Sequence, residues 1–326
     1  MRKLFLLLLF SPFYVFAQVT AKQNAQHCFP DSIPPGNYSG ITWLGDDMYA
    51  IVSDKSEEDG FFIFEIKTDS ISGEIISARN LGFKSSEQPN RDGEGIAYNP
   101  HANTIFISGE ADNIIKEHDI NGKLTGRSIS PTPFYQLLPG NLGLEALSYN
   151  ATTHTLWTCN EGGNVYIQSY DDELKPKATY RYSIDNPVAE ASKAELYAHG
   201  IGAICALDSG DLLLLERELY VPQKKIGSFA NCKLFYCKPD PSKLITNTNK
   251  QNANNDSLIL EKKLLTSWRT SLTILGRSFA NYEGMCIGPQ LKDGSRVILL
   301  VADSQNQYRH VLKDWFKSIK LSFTHQ

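Results

Sequence analysis

A hairpin pattern that recurs five times along the chain is the feature that most constrains its fold. The hairpins begin, in chain order, at Ser39, Glu94, Glu145, Ala203 and Glu283. Successive starts are 55, 51, 58 and 80 residues apart. Each module has a short apolar segment, a polar turn with Gly, Asp or Asn, and a second apolar segment, which is the signature of a β-hairpin. Two more strand-like segments follow each of the first four hairpins, and helical periodicity is almost absent.

Four-stranded modules of about 50 residues that repeat around an axis are typical of a β-propeller. We therefore predict an all-β fold in which residues 18–326 form a single β-propeller domain of five visible blades. The fifth module is one strand short, and the segment from residue 18 to about 29 would supply that strand and close the ring. Six blades is the alternative count. The polar, Asn-rich stretch 238–257 favours instead a surface insertion between two outer strands.

The first 17 residues have the parts of a secretory signal peptide. Arg2 and Lys3 supply the positive start, residues 4–16 are apolar, and a cleavage site precedes Gln18. An apolar run of about 13 residues is too short to span roughly 30 Å of hydrocarbon. We expect an exported protein, periplasmic or extracellular, with no membrane insertion after signal cleavage.

Composition excludes several kinds of partner. The chain has 32 basic and 36 acidic residues, a net charge of −4 and no basic run, so nucleic acid and anionic membranes are poor candidates. We expect a monomer. Three of the six cysteines lie in apolar strand-like segments, where a thiol acts as a small core residue. If any disulfide forms, Cys232 with Cys237 or Cys28 is the least poor candidate.

Acidic residues recur at two fixed places in these hairpins. In a propeller blade the innermost strand runs from one face of the ring to the other, and the second strand runs back. The start of the first strand and the end of the second therefore meet at one mouth of the central channel. The second strands end at Asp54, Glu110, Glu161, Glu216 and Asp303. Together with three of the hairpin starts, these residues would bring eight carboxylates to one opening.

Such a ring of acids repels itself, since each like-charge pair at ~4 Å costs about 4 kcal/mol at an effective dielectric near 20. A buried acid must pair, protonate or bind a cation. Carboxylate oxygens without thiols or paired histidines suit Ca²⁺ or Mg²⁺. Two other interpretations stay open: Arg91, Arg217 and Arg277 could neutralise the acids without metal, or the acids could be scattered over the surface.

The segments "SGITW", "DGEGIAYNP", "NLGLEALSYN", "LLLLERE" and "NYEGMCIGPQLKDGSRVILLVADSQNQ" occur in that order. With them the chain resembles the phytase-like family of exported bacterial proteins, described as having esterase-like activity of phytase, from about residue 35 to 320. The resemblance implies a β-propeller, in agreement with the repeat, and hydrolysis of phosphate esters. One position departs from the family pattern: Ala203 stands where a glutamate is usual, and His199 could replace that acid as a polar group.

By analogy with calcium-dependent β-propeller phytases, the resemblance implies metal held by carboxylates that binds phosphate and activates water. The predicted ligands of Ca²⁺ are Asp54, Glu94, Glu145, Glu216, Glu283 and Asp303. Arg91, Arg217 or Arg277 would bind phosphate oxygens of a small-molecule substrate. Glu110 or Glu161 would be the catalytic general base.

No G-x-S-x-G, H-E-x-x-H or phosphate-binding glycine-rich loop occurs, so a serine-esterase mechanism has no support. Two alternatives to a phosphate or other ester hydrolase remain. One is a non-catalytic propeller that binds a ligand or protein and uses a structural cation. The other is a calcium-dependent lactonase. An open mouth lined by free arginines would favour phosphate chemistry, and a mouth filled by arginine–carboxylate pairs would favour a scaffold.

Overall fold

The computed structural model describes residues 18–130, 135, 143–245, 256–274, 276–308 and 311–324. Within this part of the chain there are 20 β-strands, and the helical content is limited to three one-turn 3₁₀ segments. These segments are Ala191–Lys193, Pro241–Lys243 and Asp256–Leu258. The predicted signal peptide, residues 1–17, lies outside the described residues. No helix among the described residues is long and apolar enough to cross a membrane.

The strands form five antiparallel sheets of four, which we number as blades in chain order. Blade 1 contains β2 (Tyr38–Gly45), β3 (Met48–Ser53), β4 (Glu58–Thr68) and β5 (Ile75–Pro89). Blade 2 contains β6 (Gly93–Asn99), β7 (Thr104–Gly109), β8 (Ile114–Asp119) and β9 (Leu124–Ile129). Blade 3 contains β10 (Leu144–Asn150), β11 (Thr155–Asn160), β12 (Val165–Tyr170) and β13 (Pro176–Tyr182).

Blade 4 contains β14 (Leu196–Ala206), β15 (Leu212–Val221), β16 (Phe229–Cys237) and β17 (Lys262–Ser271). Blade 5 contains β18 (Asn281–Gln290), β19 (Arg296–Asp303) and β20 (Phe316–Thr324), and its outer strand is β1 (Gln18–His27). The amino-terminal strand pairs antiparallel with β20 over nearly its whole length. The predicted closure of the ring by the amino-terminal segment is therefore confirmed.

The inner strands of the five sheets surround a common axis. β2 packs on β6, β6 on β10, β10 on β14, β14 on β18, and β18 returns to β2. Five large apolar clusters lie between successive blades, one at each of the five interfaces. This cyclic arrangement confirms the all-β, five-bladed propeller, and the described residues contain no sixth sheet.

Burial follows strand position, as the repeat requires. The second strand β11 is buried at every residue, whereas the outer strand β9 is exposed at all but its last. An inner strand is covered by neighbouring blades on both faces, and each large apolar side chain buried there contributes about 1.5–3 kcal/mol. The outer strands need only one apolar face.

The polar stretch 238–257 falls between the two outer strands of blade 4, β16 and β17. In its first described part, the backbone N–H of Ile245 donates to the carbonyl of Thr179 in blade 3. Residues 246–255 lie outside the described part. All six cysteines are free thiols, and five of them are buried. Cys232 and Cys237 both belong to the extended strand β16, so they do not form a disulfide in this fold.

Candidate functional site

A β-bulge at the same height of every inner strand builds one mouth of the axial channel. Each inner strand has a register shift there against its second strand. The first bulged residues are Ser39, Glu94, Glu145, Gly202 and Glu283. An extra residue breaks the strict alternation of a strand and re-aims a side chain. The three glutamates line the narrow axial space as a result.

A small residue follows each bulged position because the inner strands approach closely at the axis. A Cβ atom added to Gly40 would lie 2.5 Å from the carbonyl oxygen of Glu94, and one added to Gly95 would lie 2.6 Å from the backbone nitrogen of Leu147. The axial space has a volume of only about 10 Å³, which is room for about one water molecule. In this sequence pair, the glutamate supplies negative charge at the mouth, and the small residue allows the inner strands to pack closely.

The second strand of each blade also places a residue at this mouth. It is the residue that directly follows the pairing partner of the last inner-strand residue before the bulge. In chain order these residues are Asp54, Glu110, Glu161, Arg217 and Asp303. The fourth blade is the exception at both positions. It has Gly202 where three blades have glutamate and Arg217 where the other four have an acid.

Because the β-bulge shifts the register of the fourth blade, two assignments made from the sequence are wrong by one residue. The bulge position of the fourth blade is Gly202, not Ala203, and its second-strand position is Arg217, not Glu216. A shift of one residue moves a strand side chain to the opposite face. Glu216 accordingly points away from the mouth, where it accepts hydrogen bonds from Tyr182 Oη at 2.7 Å and Lys262 Nζ at 2.5 Å. Glu216 is thus not part of the acidic ring.

Arg217 fills part of the mouth and neutralises acids from two blades. Its Nη2 atom lies 3.0 Å from Glu161 Oε1, 3.1 Å from Glu283 Oε1 and 3.4 Å from Glu145 Oε1. A Cβ atom on Gly202 would lie 3.1 Å from Arg217 Cδ, so the glycine leaves room for the arginine. Arg217 was predicted to bind substrate, but its side chain is only 6% exposed and its Nη2 atom is occupied by these carboxylates.

The first and second blades contribute acids that this arginine does not reach. One oxygen each of Asp54, Asp92 and Glu94 lies within 4.8 Å of the others. The Glu94 side chain is buried, and among the described residues its carboxylate has no hydrogen bond or ion pair. Asp54 Oδ1 is also buried without a partner. We call Asp54, Asp92 and Glu94 the acidic trio.

Lys55 covers the outer side of the acidic trio. Its Nζ atom lies 2.5 Å from Asp92 Oδ1 and 3.1 Å from Asp54 Oδ2, and its side chain is 60% exposed. Sequence reasoning missed Asp92, although the "DGEG" motif contains it. The signal was its place opposite Glu110 at the end of the hairpin, where the Glu110 N–H donates to the Asp92 carbonyl.

The electrostatics of the mouth reflect an excess of negative charge. Burial raises the pKa of Asp54 to about 6, reinforced by Asp303 and opposed by Lys55. Burial also raises the pKa of Glu283 to about 8 against the opposing effect of Arg217. The pKa of Glu94 is raised well above its usual range by burial and then by Glu145. Eight carboxylates of the mouth repel one another: Asp54, Asp92, Glu94, Glu110, Glu145, Glu161, Glu283 and Asp303. Among the described residues, their ion pairs with cations are those of Arg217 and Lys55.

The remaining predicted residues have different surroundings. Arg91 lies in the interior, where its Nε donates to Asp59 at 3.1 Å and its Nη1 to Asp112 at 2.9 Å, so its donors are occupied and it is not a free phosphate ligand. Arg277 is exposed and lines a separate cavity that also reaches Asp303. His199 lies opposite Glu218, in the part of the fourth hairpin that extends beyond the mouth.

The comparisons with known proteins agree with the resemblance described above. A family model described as "Phytase-like: Esterase-like activity of phytase" matches residues 33–305. A search of curated protein sequences finds no match.

Similar solved structures include one titled streptogramin B lyase, at 14% identity and a TM-score of 0.39, which covers 94% of this chain and 98% of that chain. Another is a member of the DUF4221 family from Bacteroides vulgatus, at 10% identity and a TM-score of 0.44, covering 94% and 99%. Kuenenia stuttgartiensis hydrazine synthase is similar at 10% identity and a TM-score of 0.41, covering 86% and 81%.

Proposed function

Because this chain belongs to the phytase-like family, described as esterase-like activity of phytase, we propose that it is an exported, divalent-cation-dependent hydrolase of phosphate or other esters. The reaction would take place at the acidic mouth of the propeller. The observation that carries this proposal is the acidic trio, since its three carboxylates meet on one side of the mouth with Lys55 as the contacting cation.

The acidic trio suits a hard divalent cation. Its donors are all carboxylate oxygens, which is the ligand type of Ca²⁺ and Mg²⁺. Asp54 Oδ1 is a buried acceptor without a partner, and the buried Glu94 carboxylate has none among the described residues. A buried carboxylate must be compensated, so Asp54, Asp92 and Glu94 are the residues that would hold the ion. A bound cation would polarise a phosphoryl or acyl oxygen and acidify water.

Of the two predicted bases, Glu110 is better placed than Glu161. Glu161 is occupied by Arg217 at 3.0 Å, whereas the Glu110 carboxylate has no hydrogen bond or ion pair among the described residues. Burial raises the pKa of half-buried Glu110, and Asp92 and Glu161 raise it further. A base whose pKa is closer to the working pH transfers protons more efficiently. We assign Glu110 the role of accepting a proton from the attacking water.

The test combines cation binding with hydrolysis. Protein stripped with EDTA is titrated with CaCl₂ and MgCl₂ in a calorimeter, then assayed on p-nitrophenyl phosphate, p-nitrophenyl acetate and γ-butyrolactone. We expect one of these cations to bind, and we expect Glu94→Gln and Asp92→Asn to lose that binding and the hydrolysis. Glu216→Gln is the matched control, because it removes a buried acid outside the mouth and should keep both.

Glu110→Gln separates the two parts of the proposal. It should bind the cation as the wild type does and hydrolyse ester slowly. Absence of cation binding in the wild type would overturn the cation site. Binding without hydrolysis of any of the three substrates would overturn the enzyme assignment.

A second function is favoured by a specific observation. Arg217 pairs with three glutamates and fills part of the mouth, as expected of a rigid scaffold. A non-catalytic, ligand-binding propeller with a structural cation is therefore the function we would infer from binding without hydrolysis.

A further inference from the structure

A cavity of about 590 Å³ opens beside the acidic mouth, between blades 4 and 5. Its volume lies in the usual range of small-molecule sites, roughly 300–1,000 Å³. Asn281 and Asp303 line the side nearest the mouth. The apolar part of its wall includes Leu196, Leu219, Ile226, Leu272, Phe279 and Leu312.

The cavity exists because the hairpin of the fourth blade is longer than the others. Its strands stay paired beyond the bulge, up to the pair Leu196 and Val221. The added segment brings Leu219 against Phe279, and the two belong to a small apolar cluster distinct from the five large ones. The inner hairpins of the other blades end close to the mouth.

The outer part of the wall is apolar and exposed. Leu196, Ile226 and Ile274 line the cavity and are 53%, 54% and 83% exposed. Grouped exposed apolar side chains around a concavity mark a binding site more often than single ones do. The apolar wall favours a ligand with a hydrocarbon or aromatic body.

The rim of the cavity carries positive charge that the protein does not neutralise. Arg277 and Lys224 line the cavity, and neither has an ion pair with a carboxylate among the described residues. Lys225, also at the rim, is paired with Glu195 at 2.8 Å. Unpaired cations beside an apolar wall, in a chain with net charge −4, favour a ligand with an anionic group.

We propose that this cavity binds an amphipathic organic anion, with its apolar body along Leu219 and Phe279 and its anionic group at Arg277 and Lys224. Asp303 lines the cavity and also adds to the repulsion on Asp54, so the inner end of a ligand would lie near the acidic trio. The identification of this anion as the substrate rests on the proposed function, whereas its binding does not. A polyanion without an apolar body would leave the wall exposed to water.

The test measures binding in EDTA, where the cation site plays no part. Calorimetry compares butyl, hexyl and octyl phosphate with inorganic phosphate, inositol hexakisphosphate and neutral octanol. Each added methylene should lower Kd by about fourfold, the value for full transfer from water. Octyl phosphate should bind tighter than either octanol or inositol hexakisphosphate.

Substitutions at exposed positions test the two parts of the cavity without disturbing the core. Arg277→Gln should raise the Kd of octyl phosphate at least fivefold, and Ile226→Ser at least threefold. The matched controls are Lys263→Gln and Ile76→Ser on outer strands, where the side chains are also exposed, and they should stay within twofold of wild type.

The proposal is overturned if octyl phosphate binds no tighter than inorganic phosphate, or if Arg277→Gln and Ile226→Ser match their controls. That result would leave the cation site intact. Conversely, binding of octyl phosphate by a protein without cation binding or hydrolysis would retain the cavity as a ligand site and remove the proposed function.

Discussion

At the scale of single residues, Arg217 decides how much charge the axial cluster carries. The fourth blade replaces an acid with this cation, and Gly202 leaves the space that it occupies. Without the guanidinium, three glutamates from two blades would face one another with no cation in contact. The arginine is therefore a structural residue of the ring, although the sequence indicated that it binds substrate.

Arg217→Met should lower the free energy of unfolding by about 3–5 kcal/mol in EDTA, because removing one partner of a buried ion pair leaves uncompensated charge. Urea denaturation at pH 7.5 measures the change. Arg79→Met is the control, since Arg79 also pairs with a glutamate but is exposed, and exposed pairs contribute little. Equal, small effects of the two substitutions would contradict this role.

At the proposed cation site, we expect Lys55 to compete with the ion for the acidic trio. Its ammonium group lies where a cation would approach Asp54 and Asp92, and a bound divalent ion must displace it. Lys55→Met should lower the Kd of the preferred cation several-fold in calorimetry at pH 7.5. Lys67→Met, an exposed substitution near Glu65, should leave the Kd unchanged. A weaker affinity in Lys55→Met would show that the lysine does not compete.

At the scale of strands, the bulge and the small residue after it form one unit. A methyl group on Gly284 would lie 2.6 Å from Val301 Cγ2 and 3.0 Å from Gly40 Cα, a backbone atom that cannot rotate away. Gly284→Ala should therefore cost about 1–3 kcal/mol by overpacking. Ala203→Gly, at the same ring position of blade 4, should cost about 1 kcal/mol or less. Thermal unfolding of both variants checks the difference, and a tolerated Gly284→Ala would contradict the close approach.

The strand repeat could be predicted from the sequence, whereas the β-bulge within it could not. Blade number, strand order and ring closure follow from the alternation and spacing of apolar segments, which the sequence shows directly. The convergence of Glu94, Glu145 and Glu283 follows from the repeat as well. The register of the fourth blade did not follow, because a β-bulge leaves no mark in the hydrophobic pattern and a one-residue error exchanges Arg217 for Glu216. Ion-pair partners of Arg91 lie in distant segments and could not be inferred from spacing.

At the scale of the whole molecule, β1 connects three blades. It pairs with β20 in blade 5, and Gln23 Nε2 donates to Thr266 Oγ1 in blade 4 at 2.7 Å. Asn24 Nδ2 donates to the carbonyl of Ser72 next to blade 1 at 3.0 Å. The strand therefore covers the edge of β20 and is hydrogen-bonded to the blades on either side of blade 5.

Deletion of residues 18–27 should lower the Tm and produce oligomers, because an uncovered strand edge pairs with other chains. Size-exclusion chromatography and thermal unfolding measure the two effects. Lys22→Thr is the control, since it changes an exposed side chain and keeps the backbone pairing. A deletion variant that stays monomeric with an unchanged Tm would show that β1 is not needed to close the ring.

The pH dependence of stability tests the charge balance of the entire mouth. Burial raises the pKa of Glu283 from its ordinary value of 4.5 to about 8 and that of Asp54 from 3.8 to about 6. Acids with a raised folded-state pKa stabilise the protein fully below their unfolded pKa, and this contribution is lost as pH rises through the folded value. Groups with a lowered pKa, such as Asp59, change stability only at lower pH.

In EDTA, the Tm should therefore fall between pH 5 and pH 9, and Glu283→Gln should reduce that fall. Excess CaCl₂ or MgCl₂, whichever binds, should raise the Tm at pH 9 more than at pH 5, since the cation binds the ionised carboxylates and stabilises the folded state by mass action. Glu216→Gln, which removes an acid outside the mouth, should keep the pH dependence of the wild type. A Tm that rises steadily from pH 5 to pH 9 in EDTA would mean that the acids of the mouth are ionised and compensated without a cation, and the acidic trio would then be a set of structural contacts.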